Sequence, residues 1–284
     1  MILSPHKMMP TYHGGYARCA ADSAAPGMWR GCVGAWYPTL GPTGVTLRDV
    51  SGRHNDGTLR YMDPATDWVQ TPYGWATELD GFNDYIEVAA PTWDISNAGT
   101  VVLAFRYNGL STGRYPYCIS QTNSAGTRSS WGLGTQGVVG AIRAVGANAA
   151  GVALWDFLGS AIVQAWRVYA MTWDGATARL YEDGAEVNSA GYVGVLDGGG
   201  QALSFGRLVV HKRYMGGCYA YCDIYDRALS PAEIAELYAD PFAMIRRRPA
   251  MVSYYVPTVG GGPIVGSRIV SSSIIGPNIL RGVA

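Results

Sequence analysis

The sequence predicts an all-β fold: a two-sheet antiparallel sandwich with one short C-terminal helix and extended N- and C-terminal arms. Two Asp-Gly dipeptides, Asp174-Gly175 and Asp183-Gly184, separate segments of alternating side chains at 165–173 and 177–182. Alternation sends successive side chains to opposite faces, and Asp-Gly supplies the positive φ of a tight hairpin, so the stretch reads as a meander. The composition agrees: 38 glycines, 9 tryptophans and 19 tyrosines against only 15% charged residues, the profile of many short strands joined by Gly-rich turns. The helix is fully punctuated. Ser230 is placed to cap it, Pro231 fits its first position and Glu233 completes a capping box. Leu229 and Ile234 form a hydrophobic staple, Ile234, Leu237 and Tyr238 share one face, and Pro241 stops it. A helix this short is unstable alone in water and must dock on a sheet.

The same composition excludes several classes. A formal net charge of zero gives no general attraction to nucleic acid or to an anionic membrane. No apolar run reaches the roughly 18–20 residues that cross a bilayer. The start, MILSPHKMMP, has no basic region followed by a long apolar one, so no secretory signal is expected. The five cysteines are odd in number and form no CxxC pair. Cys218 and Cys222 are expected on one face of a strand, about 13 Å apart and too far for a disulfide. Buried or free thiols of a protein made in a reducing cytoplasm are the expectation.

In chain order, residues 1–31 are rich in Pro, Gly, Ala and Met and read as an arm, with His6 and His13 as solvated or packed imidazoles. Residues 33–38 form a short apolar strand. The stretch LRDVSGRHNDGTL (47–59) is a turn-rich loop. His54 lies there beside Asn55 and Asp56, and turn chemistry explains the trio better than a catalytic His–Asp pair, because no partner nucleophile is identifiable. Residues 79–88 and 100–107 read as strands. In the second, Val101, Leu103, Phe105 and Tyr107 face one way, and Val102, Ala104 and Arg106 the other. Residues 115–120, 130–133 and 138–145 continue the rhythm. The apolar stretch 146–165 reads as strands punctuated by Gly151 and Gly159. The run DGGG at 197–200 lacks the Gly-Lys-Ser/Thr of a phosphate loop and is a turn. Arg246, Arg247 and Arg248 read as a solvated run or as local ion pairs. Three glycines at 260–262 make a joint. Beyond it the β-branched pairs Ile264-Val265, Ile269-Val270 and Ile274-Ile275 recur every five residues. They read as an inter-subunit arm that adds a strand to a neighbour's sheet, with disorder as the alternative.

Several of these motifs carry a resemblance. The segment 166–173, the Asp183-Gly184 turn and CDIYDRALSPAEIAELY (222–238) resemble the end of a laminin-G-like, concanavalin A-like lectin jelly roll. LDGFNDYIEV (79–88) resembles an early strand of that family, and VGAWYP with TLRDVSGRHNDGTL (33–59) resembles its opening. The resemblance spans roughly residues 33–241. It implies a jelly-roll domain over 32–245, with an N-terminal arm at 1–31 and a C-terminal arm at 246–284. The flanks resemble those of bacteriophage versions of the domain. That implies a virion structural protein, either a capsid decoration or cement subunit or a fibre-associated one, made in the host cytoplasm and assembling with other virion subunits as a homo-oligomer.

Three function classes follow. Assembly would use the apolar tail, with Ile264, Val265, Ile269, Val270, Ile274 and Ile275 as its grip. Carbohydrate binding, the alternative, would stack sugar rings on aromatics at loops and strand ends, for which Tyr115, Tyr117, Trp131 and Tyr214 are the candidates. Some relatives by resemblance hold calcium with acidic and amide oxygens, and Asp80, Asn83 and Asp84 could supply part of such a set; a hard cation needs about six or more oxygens. Glycoside hydrolysis is not expected. The Glu-x-Asp-x-x-Glu strand of enzymes with this fold is absent, and Glu182 and Glu186 only straddle a turn. Serine-nucleophile and zinc-hydrolase signatures are missing too.

Overall fold

The computed structural model describes residues 10–269 except 73, 90, 125–128, 138–139, 198–200, 209–210, 250 and 257–263, with the backbone alone for 251–256 and 264–269. In chain order the strands are β1 (Cys32–Trp36), β2 (Thr46–Leu47), β3 (Gly57–Arg60), β4 (Trp68–Thr71), β5 (Gly74–Leu79), β6 (Tyr85–Val88), β7 (Gly99–Ser111), β8 (Tyr117–Thr122), β9 (Ser129–Thr135), β10 (Ala141–Ala147), β11 (Ala153–Ala161), β12 (Trp166–Trp173), β13 (Thr177–Glu182), β14 (Ala185–Gly191), β15 (Leu203–Phe205), β16 (Arg207–Leu208), β17 (Arg213–Tyr225), β18 (Met251–Val256) and β19 (Ile264–Ile269). One helix, α1 (Pro231–Ala239), follows β17. The first sheet runs β14-β13-β12-β7-β17-β5-β4, with β1 and β16 also on β17, and the second runs β11-β10-β9-β8-β15-β6-β3-β2. β18 and β19 form a separate hairpin.

The two sheets close on an aromatic core. The alternation of β7 works as its sequence demands. Val101, Leu103, Phe105 and Tyr107 enter the inter-sheet core, while Val102 and Ala104 join a second cluster on the outer face of the first sheet. Tryptophan fills the interior. Trp36, Trp68, Trp93, Trp131, Trp155 and Trp173 are buried, and Trp29, Trp75 and Trp166 are half-buried. Glycines make room for them. Gly99 pairs across the strands with Trp173, and a Cβ there would lie 2.3 Å from the ring. The indole N–H groups find acceptors, as buried polar groups must. Gln121 Oε1 accepts from Trp131 at 2.7 Å and from Trp93 at 3.4 Å, and Trp173 donates to the Ile95 carbonyl at 2.8 Å.

The first sheet is covered on its outer face as well. Helix α1 presents Ile234 and Leu237 to it, beside Leu229, Phe242, Met244 and Ile245. The capping box is present as the sequence predicts, with Ser230 and Glu233 exchanging hydrogen bonds. Arg227 holds the Glu233 carboxyl down to about 2. Residues 10–31 lie along the same face: Met28 is buried, the Ala17 N–H donates to the Ile245 carbonyl, and Ser23 Oγ and the Trp29 indole both donate to the Met244 carbonyl. Two of the three consecutive arginines form local bonds rather than a solvated run. Arg246 makes a bidentate pair with Asp240, and Arg248 Nε donates to the Ser23 carbonyl.

Three local expectations are corrected. Residues 79–88 are not one strand: β5 and β6 belong to different sheets. Asp80 breaks the run, because its Oδ1 accepts the backbone N–H groups of Phe82, Asn83 and Asp84 and folds a tight turn. Cys218 and Cys222 do not share a face. The ladder of β17 slips between Tyr219 and Tyr221, which returns Tyr219 and Cys222 to the core and turns Cys218 outward to Arg106. A bulge shifts the side-chain parity by one. Finally, the Asp183-Gly184 turn has both residues at positive φ, but the earlier turn centres one residue later. Asp174 pairs with Thr177, and the Asp174 carboxylate accepts the N–H groups of Ala176 and Thr177.

His54 sits exposed at positive φ in a turn organised by Asp49, whose carboxylate accepts backbone N–H groups of Ala35, Ser51 and Asn55. Of the stretch 146–165, residues 146–147 end β10 and 153–161 form β11, as expected for strands; Gly151 lies in the turn between them, while Gly159 lies within β11. Cys19 is exposed and the other four thiols are buried, all of them unpaired.

Candidate functional site: an arginine–tyrosine cluster

The outer face of the first sheet is covered over its central strands, whereas no second layer covers the outer face of the second sheet among the described residues. At the end where β7 finishes and β17 begins, three chain segments converge on that face. The β7–β8 connection brings Arg114 and Tyr115. The β15–β17 segment brings Arg207, Arg213 and Tyr214. Strands β6, β8 and β10 bring Tyr85, Tyr117 and Arg143.

The hydrogen bonds fix these segments. Thr112 and Tyr214 exchange bonds through the Thr112 N–H and Oγ1 at 2.9 and 3.0 Å. The Arg207 carbonyl accepts from Ser120 Oγ at 2.8 Å. Arg207 and Tyr214 face each other in register. Gly113 is at positive φ, and a Cβ there would meet the Arg213 stem at 2.8 Å, so the glycine admits that arginine.

The result is an alternation of guanidinium groups and phenol rings. The Arg207 guanidinium lies 4.2 Å from the Tyr85 ring centre and 6.0 Å from that of Tyr214. Tyr115 is ringed by Arg143 at 5.0 Å and by Arg114 and Arg213, each at 5.5 Å. Arg143 is neutralised by a bidentate pair with Asp156, at 2.8 and 2.5 Å. Arg114, Arg207 and Arg213 have no carboxylate partner among the described residues. Arg207 Nε is buried without a hydrogen-bond acceptor. Tyr61, stacked at a tilt on Tyr85 with centroids 6.1 Å apart, is 75% exposed.

Of the four aromatic candidates, Tyr115, Tyr117 and Tyr214 meet in this cluster. Tyr115 and Tyr214 are half-buried and can present a ring edge or face. Tyr117 is nearly covered, packing with Val145 and Leu208, and its hydroxyl accepts from Arg143 at 3.4 Å. Trp131 must be withdrawn as a stacking residue: it is fully buried in the core against Trp173. Sequence reasoning missed the arginines. They are scattered from 114 to 213, and only the sheet pairing gathers them.

Asp80, Asn83 and Asp84 do not fit a calcium site. Asp80 Oδ1 already accepts three backbone N–H groups, and Asp84 Oδ2 accepts the Asp80 N–H at 3.1 Å. Among the described residues, no group of three or more His, Cys, Asp or Glu gathers as a metal site. Asp84 is buried, and burial pushes its carboxyl up to about 6. Of the proposed tail residues, Ile264, Val265 and Ile269 pair with Val256, Tyr255 and Met251 of the same chain. Val270, Ile274 and Ile275 lie outside the described residues.

A second concavity lies at the opposite end of the sandwich. It encloses about 630 Å³ between Asp94, Ser96, Asn148, Val195 and Asp197. No aromatic residue lines it. Its polar groups are engaged in folding the loops: Asp94 accepts the Ser96 N–H, Asp197 that of Ser124 and Asn148 that of Val152. Glu182 and Glu186 are likewise engaged, with the Ser160 N–H and with Arg179.

Comparison with known proteins bears on the fold. No curated protein matches the chain. Among solved structures, the binding domain of Paraclostridial Mosquitocidal Protein 1 is similar at 16% identity and a TM-score of 0.56, over 73% of this chain and 52% of that one. Domain 4 of AbnA, an extracellular arabinanase from Geobacillus stearothermophilus solved with arabinotriose, is similar at 16% identity and a TM-score of 0.57, over 73% of this chain and 98% of that domain. Trypanosoma rangeli sialidase is similar at 16% identity and a TM-score of 0.55, over 74% of this chain and 33% of that enzyme. The chain thus spans about half the length of the toxin domain and a third of the sialidase. At such identities the likeness is one of fold. Residues 80–235 match the family described as the Concanavalin A-like lectin/glucanases superfamily. With more than half of its length inside that match, the chain belongs to the concanavalin A-like lectin/glucanases superfamily.

Proposed function

We propose that the chain is a non-enzymatic carbohydrate-binding module that engages its ligand through the arginine–tyrosine cluster. One observation carries the reading. No tryptophan is exposed, yet Tyr115 and Tyr214 stay half-open beside the uncovered face of the second sheet, flanked by guanidinium groups that lack carboxylates. A phenol face covers the apolar face of a sugar ring, and a guanidinium donates to its oxygens. The arabinanase domain solved with arabinotriose and the toxin binding domain support the reading by fold analogy. Glycan-array binding by the intact chain tests it. Retention that falls at least tenfold in Tyr115→Ala or Tyr214→Ala is expected, and retention unchanged in both would refute the assignment of the site.

A second reading, subunit assembly in a virion, rests on the tail. The β18–β19 hairpin pairs with no other described strand, and a lone two-stranded hairpin is marginal in water. Packing against another subunit would stabilise it. The solution mass of the chain with and without residues 251–284 tests this. A defined oligomer that becomes monomeric on truncation is the expected result, and a monomer in both forms would remove self-assembly from the account.

A further inference from the structure

We infer that the ligand is an acidic saccharide, whose carboxylate or sulfate group is held by Arg207 and Arg213 while its ring lies against Tyr214 and Tyr115. The inference rests on the carbohydrate-binding reading and adds the charge of the ligand to it.

The charge distribution carries it. The chain as a whole is neutral. Seven of the described arginines pair with a carboxylate, among them Arg60, Arg167, Arg179, Arg227 and Arg246, while Arg18, Arg30, Arg48, Arg53, Arg247 and Arg248 do not. Arg114, Arg207 and Arg213 have no such partner either, and what sets them apart is that all three converge on one place, around the rings of Tyr85, Tyr115 and Tyr214. Like charges gathered without counter-charges repel one another, so an anion that joins them is favoured twice, by its own attraction and by relief of the repulsion. Arg207 is held so that its Nε is buried with no acceptor. The planar guanidinium fork matches a carboxylate or sulfate in two parallel bonds, which an ammonium does not.

The surroundings set the ligand's size. Arg60 is paired with Glu87 and Arg143 with Asp156, so the uncompensated positive charge is confined to Arg114, Arg207 and Arg213. A continuous polyanion such as a nucleic acid would find neutral pairs, not further free cations, at these neighbours. The rings are tilted, with Tyr85 and Tyr214 at 45° and 6.3 Å, and so do not form the parallel platform on which successive bases stack. A single anionic sugar, or a short stretch of them, matches this confined charge.

The test is an array that pairs each acidic glycan with its neutral counterpart: sialylated with desialylated, uronate with its methyl ester, sulfated with desulfated. Single-stranded DNA and vesicles with 30% phosphatidylserine are printed alongside. The intact chain should bind an acidic member at least tenfold more strongly than its neutral partner. Arg207→Gln and Arg213→Gln should each weaken that binding by about tenfold to a hundredfold, the range for losing a charge-assisted pair. Arg213→Lys should recover only part of it. Melting curves for each variant separate lost binding from lost folding, and the half-exposed Arg213 keeps the test open if Arg207→Gln fails to fold. Equal binding of acidic and neutral partners would overturn the inference and leave the carbohydrate reading standing. Binding to no glycan would overturn both. Equal retention of DNA or vesicles would mark simple anion exchange and overturn the saccharide assignment.

Discussion

Asp223 offers a sharp test of the packing. It lies on β17 beneath the layer that covers the first sheet and is fully buried. The Tyr37 hydroxyl donates to its Oδ2 at 2.9 Å, and its Oδ1 has no partner. Burial pushes its carboxyl up to about 8, against the Tyr37 hydrogen bond and helped by the charge of Asp49. The folded chain therefore holds a proton that the unfolded chain releases above roughly pH 4. The unfolded state binds fewer protons in this window, so stability falls as pH rises from about 4 to about 8 and then levels off. The slope is about 1.4 kcal/mol per pH unit, which makes roughly 2–3 kcal/mol between pH 5 and 7. Asp223→Asn keeps the acceptor for Tyr37 and cannot titrate. Urea unfolding of both proteins at pH 5, 6 and 7 isolates this group, since every other titration is shared. The wild type should lose about 2–3 kcal/mol more than the variant across that range. Parallel profiles would show that Asp223 is ionised in the folded chain, or that water reaches it, and would refute the buried, proton-bearing arrangement.

Other perturbations have outcomes that follow as directly. Gln121→Leu strands the indole N–H groups of Trp131 and Trp93 in the core and should cost about 2–4 kcal/mol by denaturant titration, at roughly 1–3 per unsatisfied group. Ser230→Ala removes the cap of α1 and should cost about 1 kcal/mol. Gly99→Ala sets a methyl against the Trp173 ring and should lower stability by about 1–3 kcal/mol, read in the same titration. Added calcium should leave the melting temperature unchanged, because the Asp80 carboxylate already serves three backbone N–H groups; a clear rise would show metal binding to the folded state.

The fold was legible where local chemistry dictates it. Alternation in β7, the Asp183-Gly184 hairpin and the Ser230 cap each depend on a few adjacent residues, and each stands where the sequence puts it. Two of the three misreadings share one cause, a side chain that captures backbone groups and resets the local pattern; the third is a bulge. Asp80 does so to end β5, Asp174 does so to move a turn by one residue, and the bulge in β17 inverts parity without any cue in CYAYC. The tryptophans were ambiguous because burial is a tertiary outcome, as Trp131 shows. The site was half legible. Its tyrosines stand out as loop and strand-end aromatics, but its arginines come from segments about a hundred residues apart. No local pattern announces that Arg114, Arg207 and Arg213 lack carboxylate partners.

The central claim is that the uncovered face of the second sheet binds a glycan at the end where β7 finishes. Hydrogen exchange of the intact chain, with and without the strongest array ligand at saturation, tests it most directly. Protection should appear in the amides of residues 111–117 and 205–216 and leave residues 94–97 and 147–151 unchanged. Protection confined to those latter residues and 195–197 would move the binding site to the opposite loop cleft and contradict the account.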